Sequence, residues 1–206
     1  MVPSMNVRFT ALRVTRASVI PLFDGHVRRL GEESRGALRH FASLAAEGVY
    51  RVSWDGVQLT TKLRGPSRLK DGMPARFAIS PFAGQRGRFP KPGPPSPYEG
   101  VRIDGVSTLL TDASGEEIYE SCLAGVVAWD GQSFVLALED VPAVASVAEA
   151  EVAAKLPVRR ARILVKSEWP LLLINAVAPT CQVIIPGRAA FPADQREKLN
   201  AILTAE

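Results

Sequence analysis

The sequence is poor in the side chains that hold metals or staple small scaffolds. Its 206 residues include two cysteines, Cys122 and Cys181, and two histidines, His26 and His40. Two thiols cannot build a disulfide framework or a four-cysteine zinc site, and two imidazoles exclude a histidine-rich metal centre. Lysine is also scarce, with six residues against nineteen arginines. No apolar run reaches the roughly 18 residues of a membrane helix, and the start of the chain has no apolar stretch of signal-peptide length. A soluble, cytoplasmic protein with no membrane partner is the expectation. There is no Walker loop, no dinucleotide fingerprint, no nucleophile elbow and no Ser-His-Asp spacing, so hydrolase chemistry has little support.

What the chain does have is core material and arginine. Hydrophobic residues make up 47% and charged residues 22%, which suits a sizeable core and not a disordered chain. The charge is uneven. Residues 1–91 hold 16 basic and 6 acidic side chains, and residues 92–206 hold 9 and 15. A basic half beside an acidic half suggests lobes that attract one another, or a basic wall for an anion. Plain solvated surface is the simpler reading of the same asymmetry. The basic run Arg64, Arg68, Lys70, Arg76, Arg86, Arg88 and Lys91 lacks a recognition motif and an aromatic platform, so no nucleic-acid partner is expected.

Hydrophobic periodicity predicts a mixed α+β chain. Strands are expected at 8–14, 75–79, 106–110, 133–138, 159–165, 171–174 and 182–185. Helices are expected from Asp24 to about Glu47, where Gly48 would stop it, from Ala143 to Leu156, and from Pro192 onward. Trp54-Asp55-Gly56 and Trp129-Asp130-Gly131 are hairpin cues. Five prolines between Pro90 and Pro97 exclude a helix or a central strand there. That piece is the expected connection, at 89–97, between a small lobe (1–88) and a larger one (98–206).

The chemistry lies in an ordered set of segments. Leu22-Phe-Asp-Gly-His-Val-Arg-Arg-Leu30 resembles the His-x-x-Arg-Leu helix of the fold-type IV pyridoxal-phosphate enzymes, the class IV aminotransferases and aminodeoxychorismate lyase. Phe9 to Val14 is similar to the strand that precedes that helix in the lyase. Leu109 to Gly115, then Glu120 to Val127, then Trp129-Asp-Gly131 resemble the family's second signature, and Leu172 to Val183 resembles its last active-site strand and turn. The resemblance implies a two-lobed fold-type IV architecture and pyridoxal 5'-phosphate as cofactor. It further implies Lys91 as the Schiff-base lysine, Arg29 as the phosphate ligand and Glu120 as the partner of the ring nitrogen. Such a cofactor needs a lysine amine, a carboxylate that keeps the ring protonated, and a phosphate cup, for which a guanidinium fork is well shaped.

By position, Val141 and Ala176 fall where the family places hydroxyl-bearing phosphate ligands, so only their backbone amides could serve. Gly125 stands where the family often has an asparagine, and proline-rich chain replaces the helix after the lysine. The implied activity is an aminotransferase or a lyase acting on an amino acid or an aminodeoxychorismate-like carboxylate. Thr10, Arg13, Tyr98 and Arg188 are possible substrate-side groups. A homodimer is expected, because enzymes of this kind build their sites near a two-fold interface. The alternative is a chain that has kept the fold and shed the cofactor, serving as a binding or interaction protein.

Overall fold

A computed structural model describes residues 7–92 and 95–205. Of the proline-rich connection, Gly93 and Pro94 therefore lie outside the described residues. The first sheet is antiparallel, in the order β1 (Arg8–Val14), β2 (Gly48–Trp54), β3 (Leu59–Arg64). β1 and β2 alternate between buried and exposed positions, while β3 is exposed along most of its length. Leu12, Val14, Tyr50, Val52 and Trp54 face inward, onto α1 (Phe23–Leu30) and α2 (Arg35–Leu44). The expected single helix over 24–47 is therefore two. Gly31 sits at φ 109° between them, a conformation open to glycine and costly for side-chain-bearing residues. A short 3-10 turn, Glu32–Ser34, follows, and the α2 axis starts afresh.

Nine strands form the second sheet. In chain order these are β4 (Met73–Ile79), β5 (Ser107–Thr111), β6 (Glu117–Ser121), β7 (Gly125–Trp129), β8 (Phe134–Leu136), β9 (Val158–Arg160), β10 (Ile163–Leu164), β11 (Leu171–Ile174) and β12 (Thr180–Ile184). Across the sheet they run β10-β6-β5-β4-β12-β11-β7-β8-β9, with parallel pairs at β4–β5, β4–β12 and β8–β9. The hydrogen-bonding pattern thus changes sheet between Arg64 and Met73, ahead of the proline-rich connection.

The run Leu171-Leu-Leu-Ile174 has no polar face because both faces are covered. Leu171 and Leu173 join a core with Leu109, Ile118, Val126 and Val135. Leu172 and Ile174 pack against α3 (Val147–Lys155) and α4 (Ala193–Thr204). Leu22 also enters this second core, although it stands immediately before α1. It takes a left-handed conformation, φ 58°, of the order of 1–2 kcal/mol uphill for a residue with a Cβ. Burial of its side chain offsets that cost and ties the start of α1 to the nine-stranded sheet.

Candidate active site

Helix α1 carries His26 and Arg29, and two close approaches fix where they point. A Cβ on Gly25 would lie 2.6 Å from a methyl of Val147, so glycine lets α1 meet the start of α3 at backbone distance. Arg29 then reaches across and donates from Nη2 to the Ala145 carbonyl. It makes no ion pair among the described residues. Burial without an acidic partner pushes its pKa down to about 10.

The residues around Ala145 hold the remaining pieces. Phe89 forms a parallel bridge with Val144: its N–H donates to the Ala143 carbonyl, and its carbonyl accepts from the Ala145 N–H. Lys91 lies two residues beyond Phe89. The Val144 N–H donates to Glu120 Oε2 at 3.0 Å, and the Tyr98 hydroxyl donates to Glu120 Oε1 at 2.6 Å. Tyr98 stands edge-on to Phe82, which tilts against Phe89. Arg29 and Glu120 therefore grip adjacent residues of one segment, and an aromatic chain links Tyr98 to the strand piece that carries Lys91.

The charges are strongly perturbed. Burial pushes the Glu120 carboxyl up to about 7, against the hydrogen bonds from Tyr98 and Val144. Burial, then Arg29, Arg51 and Arg64, pushes the half-buried Lys91 amine down to about 8. His26 is wholly buried, with Nδ1 2.8 Å from Thr10 Oγ1 and Nε2 unpartnered among the described residues. Burial, with Arg29 and Lys91 behind it, pushes His26 down to about 3 and keeps the ring neutral.

That neutral ring has a measurable consequence. Between about pH 6.5 and 3 the unfolded chain binds a proton at His26 that the folded chain refuses. Stability from the neutral ring is complete above that window and is lost as the pH falls through it, by about 5 kcal/mol in all. Glu120 acts in the opposite sense. Its folded pKa lies above the unfolded one, so its contribution is complete below about 4.5 and is lost as the pH rises toward 7. Urea midpoints of the wild type should therefore be nearly level from pH 6.5 to 4.5 and fall steeply below that. His26→Gln should make the fall shallower without abolishing it, because carboxylates held low in the fold, Asp130 at about 2 among them, lose stability over the same range. A parallel fall in both proteins would contradict the assignment.

A cleft of about 650 Å³ opens where α1 meets α3, with Arg28, Arg29, Arg88, Arg160, Pro90 and Ser146 among its lining. Ser146 caps α3 by accepting the Glu149 N–H, and the Arg88–Glu149 pair is buried at 3.1 Å. Lys91, Tyr98 and Glu120 are not in this lining. Neither is Val141, whose N–H is directed to the Leu138 carbonyl at 3.5 Å in a local turn. Ala176 packs beside the core under α3 and α4. Among the other possible groups, Thr10 pairs with His26, and Arg13 holds a buried, unpartnered Nε. Arg188 is taken up by the carbonyls of Leu164, Val165 and Trp169. Ser146 and Arg88 were missed in the sequence. Ser146-Val-Ala-Glu149 is a capping-box pattern that could have revealed the first, and no local signal marks the second.

In type, these residues fit a phosphate-bearing pyridine aldehyde. Arg29 is a guanidinium with no acid against it and Lys91 a desolvated amine. Glu120 is a buried carboxylate whose oxygens have lone pairs beyond the two in use. Phosphate hydroxyl donors at 141 and 176 are absent.

Neither a protein-family model nor a curated protein matches the sequence. Solved structures do match the fold. A 4-amino-4-deoxychorismate lyase from Pseudomonas aeruginosa aligns over 96% of this chain and 89% of its own, at 16% identity and TM-score 0.65. A fold IV transaminase from Curtobacterium pusillum aligns over 100% and 88%, at 13% and 0.66. A hypothetical aminotransferase from Mycobacterium tuberculosis, in its PLP-bound form, aligns over 98% and 90%, at 15% and 0.63.

Proposed function

We propose that this chain, which has the mixed α+β fold of fold-type IV transaminases, works with pyridoxal phosphate on an amino-bearing carboxylate, as an aminotransferase or a lyase. One observation carries the reading. A lysine amine is held near neutrality by burial and by arginines, next to a segment that Arg29 and Glu120 both grip. When bound, the cofactor supplies an electron sink for the pair left on a substrate carbon.

The remaining roles belong to the chain's own residues. Arg29 binds the phosphate with a guanidinium that has one carbonyl partner and donors to spare. Glu120 holds a proton at the ring nitrogen, and the Tyr98 hydroxyl fixes the plane of its carboxylate. Lys91 supplies the amine that meets the aldehyde and afterwards takes and returns a proton through Nζ. A free amine at working pH suits both tasks. Phe82, Phe89 and Tyr98 keep water from this side of the pocket. The phosphate hydroxyls missing at 141 and 176 lower affinity by about 1 kcal/mol for each hydrogen bond lost.

A homodimer belongs to the same proposal. Leu44, Val57, Leu63, Ile79, Ile103 and Ile184 are exposed apolar residues available for a partner.

Titration with pyridoxal phosphate tests the reading. A saturable long-wavelength absorbance band that borohydride bleaches is the expected result. No band at millimolar cofactor would overturn it and leave the alternative, a chain that keeps the fold without the cofactor.

A further inference from the structure

Lys91 has little of its own to hold it in place. It lies outside any strand, and its N–H has no partner among the described residues. Pro90, Pro92, Pro95 and Pro97 have no N–H to donate. Downstream, the bond that returns to the site is that of Tyr98, beyond the prolines. Upstream, backbone bonds run from the Gly87 N–H to the Asp140 carbonyl and from the Phe89 N–H to the Ala143 carbonyl. Between them, Arg88 turns its side chain into the protein. That side chain is 13% exposed and meets Glu149, 5% exposed, with Nη1 3.1 Å from Oε2. Arg88 Nη2 also lies 3.4 Å from the carbonyls of both Ala137 and Leu138, just beyond β8. Glu149 stands in the first turn of α3, and its second cation, Arg160, is farther away at 4.0 Å. The carboxylate has room only because residue 125 is glycine. A Cβ there would lie 2.5 Å from Oε1 and 2.8 Å from Cγ of Glu149.

We propose that the Arg88–Glu149 pair, seated over Gly125, is a positioning element for Lys91, fixing the lysine's segment to the start of α3. The inference rests on the reading of Lys91 as the reacting amine. A single short piece of chain then sets three groups at once. The start of α3 meets Glu120 through the Val144 N–H, Arg29 through the Ala145 carbonyl, and the lysine segment through Glu149. A buried ion pair adds little net stability, because desolvation of both charges offsets most of their attraction. Its contribution here is geometric. Without it, the backbone bonds at Gly87 and Phe89 alone hold the upstream segment, and Lys91 turns toward solvent.

Replacing both partners by methionine, Arg88→Met with Glu149→Met, removes the charges and keeps apolar volume, so the urea midpoint should stay close to that of the wild type. Two readouts then separate positioning from stability. The first is the pH midpoint for acetylation of Lys91 by trace acetic anhydride, read by peptide mass spectrometry with the exposed Lys62 and Lys155 as internal standards. It should rise from about 8 toward the ordinary lysine value of about 10.4. Arg29, Arg51 and Arg64, the cations whose fields reach Lys91, stay in every variant, so a moved midpoint reports a moved amine. The second is covalent uptake of pyridoxal phosphate, which should be at least about tenfold slower. Arg88→Lys keeps a charge for Glu149 without the planar fork and should show part of both effects. A double variant with the wild-type stability, midpoint and uptake rate would overturn the proposal. Should the double variant unfold, wild-type values of both readouts in folded Arg88→Lys would overturn it equally. Unchanged midpoints in a chain that takes up the cofactor defeat this inference alone. A midpoint that moves in a chain that takes up no cofactor defeats only the reading of Lys91 as the reacting amine.

Discussion

Lys91→Ala is expected to abolish covalent uptake of pyridoxal phosphate completely. At pH 7.5 an amine with pKa about 8 is free in roughly a quarter of molecules, about 250 times the fraction for an ordinary lysine. The other five lysines, Lys62, Lys70, Lys155, Lys166 and Lys198, are all exposed to solvent, so none offers a desolvated amine to replace it as nucleophile. The variant should keep a weak, dialysable affinity through Arg29, with no band that borohydride bleaches. It should also be at least as stable as the wild type in urea. Its truncation relieves the repulsion among Lys91, Arg29, Arg51 and Arg64 and leaves no hydrogen-bond partner behind among the described residues. A variant that still fixes the cofactor would remove Lys91 from the site. A variant that lost uptake by unfolding would say nothing against another lysine, which is why the urea measurement accompanies the spectrum.

Glu120→Ala should be the most destabilising single change near the site, by about 3–5 kcal/mol. The side chain is buried in β6. Its loss strands the Tyr98 hydroxyl and the Val144 N–H, each at a cost of about 1–3 kcal/mol, and opens a cavity beside them. Glu120→Gln should cost less, about 1–2 kcal/mol, since its carbonyl satisfies one donor while its amide faces the other. The glutamine variant should still fix the cofactor at Lys91, because that step needs only the amine. Turnover should fall, because an amide cannot hold a proton at the ring nitrogen. An alanine variant within 1 kcal/mol of the wild type would mean that the Tyr98 and Val144 bonds contribute little.

How much of this was legible in the sequence follows from how local each signal is. The two Trp-Asp-Gly hairpins were readable because their instructions are carried within the turn. Asp55 accepts the N–H groups of Val57 and Gln58, and Asp130 those of Gln132 and Ser133. Leu171–Ile174 was readable as a strand because four apolar residues in a row fit burial on both faces. The break at Gly31 was not, because apolar spacing continues from Leu30 to Leu38 in a different helix. Alanine content carries the helical pattern back to Ala143, whereas the Ser146 cap starts α3 at Val147.

The order of Arg29, Lys91 and Glu120 along the chain followed from resemblance to a known family. Their relation in space did not. It depends on Val144 and Ala145, whose roles are backbone bonds to residues 24 and 116 positions away and leave no mark in the side chains. Arg51 and Arg64 share a side of the first sheet only through the β2–β3 register. From the sequence alone they belong to different segments of a basic half.

The most direct test of the central claim is to incubate the protein with pyridoxal phosphate, reduce it with borohydride, digest it and locate the added mass by peptide mass spectrometry. Six lysines are available. The account predicts one pyridoxyl phosphate per chain, on the peptide that contains Lys91. Label spread over Lys62, Lys70, Lys155, Lys166 and Lys198, or no label at all, would contradict it.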